Sequence, residues 1–319
     1  MVLGAAAAAF PDTDVVLSYL SPLAYLYHHR GVTHSVLLAP LWALLLAAIW
    51  TVVRRDRAGF AIYFLIATIG LGMHILGDLI TSFGTMIFAP FSDVRLEWGT
   101  TFIIDLWFTG IILAALVFTW WLRASRLPAF IGLCALCGYV GLQWIEKNRA
   151  IAFGEAHAQE AGLTGAEVSA LPRPVSPFNW MMIVAEPDRY HYAFVNLHRS
   201  RSPVVDDNAG FIASLDAQYQ PPATVRWQTV ERFGRAADRA LVEEVWQQQQ
   251  FAFYRWFAAY PVVAAIERGN PSVCVWFRDL RFLTPGRSAW PFRYGMCREQ
   301  VGRWAAYEYV EGAPPLPVH

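Results

Sequence analysis

Four uncharged, mostly apolar stretches follow one another in the first half of the chain, at 36–53, 58–77, 106–122 and 127–145. Each has roughly the 17–25 residues a helix needs to cross a hydrocarbon core. Trp42, Trp50, Trp120, Trp121 and Trp144 stand mostly toward their ends, as interfacial aromatics do. Residues 1–10 form a further short, Ala-rich run closed by Pro11 and Asp12. Without a basic start it makes a poor signal peptide, and it reads as the tail of a helix whose beginning lies outside the chain. The pattern changes after 146. Beyond an Ala/Glu/Gly stretch at 150–170 and Pro172, Pro174 and Pro177, apolar and polar positions alternate at 180–184, 190–197, 272–282 and 291–297, and more weakly at 307–310. That is the pattern of half-buried strands. Segment 229–260 has helical spacing instead, with Val242, Val245 and Trp246 followed by Phe251, Phe253, Tyr254 and Phe257. The pattern predicts a polytopic α-helical membrane domain of four to five helices over 1–145. A soluble α+β domain of mainly antiparallel strands follows over 146–319.

Composition agrees. Hydrophobic residues make up 56% of the 319 and charged residues 16%, with mean hydropathy +0.33. Soluble domains carry roughly 25% charge, so an ordinary cytosolic enzyme and a disordered chain are both excluded. Basic and acidic residues cancel at 25 each, which leaves no surplus for a phosphate backbone and removes nucleic acid as a partner. The charges are unevenly placed: 14 of the 50 lie in 1–145 and the other 36 after it. Arg54, Arg55 and Arg57, and then Arg123 and Arg126, follow the first and third apolar stretches. The positive-inside rule makes both loops cytoplasmic. The loop with Asp93, Arg95 and Glu97 and the whole of 146–319 then lie outside, although Lys147 and Arg149 count against this.

The few polar residues left in the first half carry the chemistry. Segment 28–35 reads H-H-R-G-V-T-H-S and segment 74–85 reads H-I-L-G-D-L-I-T-S-F-G-T. His74 and Asp78 are four apart, so on a helix they share a face one turn from each other and can present imidazole and carboxylate to one metal ion. His29 and His34 precede the first stretch at the same expected depth, Asp12 and Asp14 lie upstream, and Asp105 opens the third stretch. His28 reads as an interfacial neighbour, and Asp105 also fits a helix N-terminal charge. Polar groups at this depth are expensive and usually functional. A divalent ion relieves the crowding of carboxylates and imidazoles.

The order P-D-T-D at 11–14, H-R-G-V-T-H-S at 29–35, the 74–85 segment and P-F-S at 90–92 resembles the YdjM-like, LexA-regulated family of bacterial inner-membrane proteins described as metal-dependent hydrolases. S-P-F-N-W at 176–180 and R-D-L-R-F at 278–282 extend the likeness. The resemblance implies a multi-pass inner-membrane protein with a membrane-embedded divalent-metal site. Asp14, His29, His34, His74 and Asp78 match the family's ligand-type positions, with Asp12 beside them, and Arg30, Ser35 and Thr81 match polar positions between. The T-H pair of an earlier family helix has no counterpart here.

Such a donor set suits zinc first, as one or two ions, with manganese or iron as alternates. Asp12 or Asp105 is expected as a general base, and Arg30 as the group that holds a phosphate or stabilises developing charge. The location points to membrane lipid and to a small amphiphilic or lipid-linked substrate, such as a phosphoester. Two other classes remain open. In a transporter or ion relay, His74, Asp78 and Asp105 would pass protons or metal. In a non-catalytic envelope assembly factor, 146–319 would be the binding module. Cys134 and Cys137 read as small packing residues in an apolar span. Cys274 and Cys297 lie where a disulfide is permitted. Asp279, between Arg278 and Arg281, reads as a strand-face ion pair. His157, His191, His198, Asp206 and Asp207 form no ligand set.

Overall fold

A computed structural model describes residues 2–206, 208–269, 272–287, 290–299 and 302–318, Glu299 by its backbone alone. Asp207 lies outside the described residues. The chain divides into two compact units, Met1–Trp98 with Val318–His319, and Gly99–Pro317, and each is described by itself.

The first unit contains helices α1 (Val2–Ala9), α2 (Pro22–His28), α3 (Ala39–Arg54) and α4 (Phe60–Leu79), with 3₁₀ segments at Pro11–Tyr19 and Val32–His34. Its packing puts small residues inside and large ones outside. Ala7, Ala43, Ala67 and Leu71 form the core, while Leu41, Leu45, Ile49, Ile62, Leu65 and Ile69 are exposed. Lipid gives no reason to bury large apolar groups, so helices in a membrane gain most from small side chains that allow close approach. Gly70 is the closest point. A Cβ there would stand 2.9 Å from the carbonyl oxygen of Gly4 and 3.0 Å from the Cβ of Ala7.

The second unit begins with an apolar pair, α5 (Leu106–Trp121) and α6 (Leu127–Glu160). None of the residues of α5 is buried. α6 runs without a break through 145–146, where the sequence suggested a domain boundary, because its polar face is satisfied within the unit. Glu146 is 1% exposed and meets Arg149 at 2.7 Å and His198 at 3.0 Å. Its last turns lie on a four-stranded antiparallel sheet in the order β1 (Glu167–Pro172), β2 (Asn179–Ala185), β3 (Arg189–Asn196) and β4 (Gln228–Glu231), through Ala150, Ala170, Trp180 and Met182. Helices α7 (Phe211–Asp216), α8 (Arg239–Trp246) and α9 (Ala252–Phe257) are short. They lead to a second antiparallel sheet, β5 (Pro261–Arg268), β6 (Ser272–Asp279), β7 (Tyr294–Glu299), β8 (Ala305–Glu308) and β9 (Leu316–Pro317). Met181, Ile183, Val262 and Leu280 join the two sheets in one core.

Each of the four apolar stretches becomes a helix, but among the described residues only α4 and α6 are long enough to cross a membrane by length and composition, or three spans if Pro22–His34 and α3, bent by 77°, count as one. That is fewer than the expected four to five. α3 and α5 have 16 residues each, about 24 Å of helix. The strands match the alternation, but β1 and β4 fall where the sequence read as linker and helix, and β5 follows the helical segment where no element was expected. β1 lies on α6 and β4 and β5 are bounded by turns, so their partners decide them. Cys274 and Cys297 are register partners on β6 and β7 and form the disulfide. Cys134 and Cys137 are free and exposed on α6. Asp279 is a buried tie, not a strand-face pair. It accepts from the backbone N–H of Ala259 (2.9 Å) and of Arg281 (2.9 Å) and meets the Arg281 Nε at 2.8 Å, while Arg278 lies over the ring of Trp290.

Gly70→Leu should force α1 and α4 apart, because a backbone carbonyl cannot move aside as a side-chain tip can. A loss of about 1–3 kcal/mol should appear as a lower Tm of the full chain in detergent, with Gly72→Leu, which meets nothing within 4 Å, as the control that leaves Tm in place.

Candidate metal centre

The last two turns of α4 present His74 and Asp78 on one face, and the chain entering α3 brings His34 against them. Arg30 and Gly31 make this possible. Arg30 adopts φ +59°, and Gly31 follows at φ −102°, ψ −118°, where a Cβ would stand 2.7 Å from the carbonyl oxygen of His28. The tight turn directs His34 inward, where it is wholly buried. Ser35 then anchors the exit, donating to the carbonyl of Ala89 at 2.6 Å.

Four side-chain atoms converge. His34 Nε2 lies 3.1 Å from His74 Nε2, 3.1 Å from Asp78 Oδ2 and 3.6 Å from Asp12 Oδ1. His74 Nε2 is 3.5 Å from Asp78 Oδ2 and 3.5 Å from Asp12 Oδ1. Donors placed tetrahedrally around a zinc-sized ion at about 2.0–2.1 Å are separated by about 3.3–3.4 Å. Asp12, His34 and His74 lie within that order of separation and form a group able to hold a metal, with Asp78 against the two imidazoles beside it. Asp78 Oδ2 is buried against the two imidazoles, and its charge is shared between them and Arg30. The pocket is closed on the His34 side and open at Asp12, whose side chain is 62% exposed. The two imidazoles beside it hold the Asp12 carboxyl well below the usual carboxylate range.

Behind these atoms stands a supporting layer. Asp14 Oδ2 accepts from the Arg30 N–H at 3.0 Å and from Thr33 Oγ1 at 3.3 Å, and lies 3.5 Å from His34 Nδ1. Thr33 Oγ1 is 3.0 Å from the same Nδ1. A proton on His34 Nδ1 leaves the Nε2 lone pair for the cluster, the way a carboxylate orients a ligating histidine. Arg30 Nη2 binds Asp78 Oδ1 at 3.0 Å, and Nη1 donates to Thr81 Oγ1 at 2.8 Å. The Phe83 ring lies 5.0 Å beneath the guanidinium.

Residues 1–150 match the model of the YdjM inner membrane protein family. The uncharacterized protein YfhP of Bacillus subtilis (strain 168) is 28% identical over 150 residues, 47% of this chain and 45% of that protein. The chain thus spans about half the length of this curated relative. No solved structure gives a significant match. The YdjM match contains every residue of the cluster and supports a membrane location. It ends before S-P-F-N-W and R-D-L-R-F, so beyond residue 150 the likeness rests on those motifs alone.

Of the expected site residues, the structure brings together seven in two layers. Asp12, His34, His74 and Asp78 face one point. Asp14 and Arg30 stand behind them, with His29 bound through Nδ1 to Asp14 Oδ1 at 3.0 Å. Asp105 belongs to the second unit. There it caps α5, accepting from the N–H groups of Trp107 (2.9 Å) and Phe108 (2.8 Å), and takes the Tyr139 hydroxyl at 2.7 Å. Sequence reasoning missed Thr33 and Tyr25, which stacks on His29 at 4.6 Å. The signals were a hydroxyl just before a ligand-type histidine and an aromatic four residues before another.

Purified full-length chain should bind close to one zinc per molecule by elemental analysis, lost in His34→Ala and Asp78→Asn. Asp14→Asn should keep the metal but hold it about 10- to 100-fold more weakly. Affinity in the wild type should fall as pH is lowered, because protons compete for the imidazole Nε2 atoms; competition with a zinc-sensitive dye at stepped pH measures it.

Proposed function

We propose that the protein is a membrane-bound, metal-dependent hydrolase that acts on lipid or lipid-linked phosphoesters at the outer lipid–water boundary. The observation that carries this reading is the convergence of Asp12, His34, His74 and Asp78 in a pocket buried on one side and open on the other. A divalent ion held there supplies Lewis acidity toward a phosphoryl oxygen and brings the ionisation of water to near neutral pH. The protein's own groups do the rest. Arg30, bonded to Asp78 and Thr81, fixes Asp78 and balances its charge, so its part is to hold the site together more than to grip a phosphate. Asp14 and Thr33 hold the His34 ring. Asp12, at the open mouth, completes the metal-holding group on the side from which water enters. Closure by His34 and the helix ends keeps the site dry on its inner side, which strengthens each of these interactions.

Position supports an amphiphilic substrate. His74 and Asp78 lie at the end of α4 opposite the loop with Arg54, Arg55 and Arg57. If that loop is cytoplasmic by the positive-inside rule, the site faces outward. The Cys274–Cys297 disulfide suits an oxidising compartment for the second unit's sheets. With α3 and α5 crossing a locally thinned bilayer, the chain makes four passages.

Zinc-loaded full-length chain in detergent should release water-soluble phosphate products from radiolabelled bacterial lipid extract, and His74→Ala should lower the rate at least about 100-fold. Equal release by the two, or none from a wild type shown to carry metal, would remove the hydrolase reading and leave a metal-binding envelope protein.

A further inference from the structure

The helix pair α5–α6 carries a feature that the metal cluster does not use. A groove of about 450 Å³ lies between the two helices, lined by Ile111, Ala115, Phe118, Leu122, Ile131 and Gly132. Its lining is almost wholly apolar and it runs to the loop that joins the helices, where Ser125 and Leu127 close it. In that loop stand Arg123 and Arg126, the only charged residues between 106 and 145. Both are exposed. Arg123 donates through Nε to the Trp120 carbonyl at 3.1 Å and lies 5.2 Å over the Trp120 ring, which leaves its terminal nitrogens outward. The Arg126 side chain has no hydrogen-bond or ion-pair partner among the described residues.

We propose that this groove binds one anionic phospholipid, its acyl chain between α5 and α6 and its phosphate against Arg123 and Arg126. Charge complementarity selects the occupant. An uncompensated pair of guanidiniums at the mouth of an apolar groove matches a ligand that is anionic at one end and aliphatic at the other, and guanidinium binds phosphate oxygens in a fork. Basic residues at the ends of membrane helices draw anionic headgroups in the same way. A second copy of the chain would bring two further arginines to the same mouth and meet repulsion there. Trp120 and Trp121, at the end of α5, stand at the depth where headgroups lie. This site is separate from the metal cluster in sequence and in chemistry, and its failure would leave the hydrolase reading untouched.

Native mass spectrometry of the full-length chain in detergent, titrated with phosphatidylglycerol or phosphatidylcholine, tests it. The expected result is one retained phosphatidylglycerol per chain, bound roughly tenfold more tightly than phosphatidylcholine at low salt. The preference should disappear in the Arg123→Gln, Arg126→Gln double variant. Ala135 also lines the groove, and Ala135→Phe, which fills it without changing charge, should weaken both lipids. Equal retention of the two lipids by the wild type, an unchanged preference in the double variant, or a dimer peak in place of the lipid adduct would each overturn the proposal.

Discussion

Charge buried at the end of an apolar helix pair must be balanced within a few ångström, since an isolated ion there costs several kcal/mol. In the first unit this requirement falls on Asp14, Arg30, His34 and Asp78, none of them freely solvated. Asp78 divides its two oxygens, one for Arg30 and one for the imidazoles. Asp14 gathers the backbone of Arg30, the hydroxyl of Thr33 and the rings of His29 and His34. The rest of the unit is arranged around that exchange. The Met86 N–H donates to the Arg30 carbonyl at 2.9 Å, Thr85 pairs with Leu96, and the Trp98 N–H reaches the Leu79 carbonyl. The segment after α4 thereby folds back onto the turn that carries Arg30. The left-handed backbone at Arg30 and the bare Gly31 are consequences of the same need, since only a tight turn brings both the guanidinium and His34 to α4.

Much of this was legible because lipid makes polar residues scarce. In 36–79 the polar side chains are few, so His74 and Asp78, one turn apart, stood out as a pair, and H-R-G-V-T-H-S read as one functional loop. Their division of labour was not legible. Asp12 and Asp14 differ by two positions in P-D-T-D, and the family resemblance implied Asp14 as a ligand, with Asp12 or Asp105 left as the base. The 3₁₀ path of 11–19 turns Asp14 into the buried layer and Asp12 toward the open mouth, a difference of backbone rotation that no residue type announces. Asp105 shows the opposite case, in which one carboxylate fits two roles in sequence. Its two bonds to the first turn of α5 are those of a helix cap.

The second unit was readable where burial imposes alternation and unreadable where partners decide. β2 is buried along almost its whole length, and its apolar run identified it. β1 lies in an Ala/Glu/Gly segment whose strand character comes from pairing with β2 and from the underside of α6. Spacing in 229–260 carried a true helical signal, but α8 and α9 are separated by a 3₁₀ turn, because the aromatic cluster around Trp246, Phe251 and Tyr254 packs in three directions at once.

The state of the two imidazoles bears on what the cluster is for. With neutral histidines, Asp12, Asp14 and Asp78 against Arg30 leave two negative charges in excess. Two protonated imidazoles could balance them, but His34 and His74 have Nε2 atoms only 3.1 Å apart, and a proton on each would set two cationic donors against each other. One shared proton relieves that clash and leaves one negative charge in the cluster. One divalent ion would remove both difficulties, taking the two lone pairs as ligands and bringing the charge of the cluster to zero. A second ion would overshoot to the same extent that none falls short, so where the cluster holds metal, charge balance favours one ion over two.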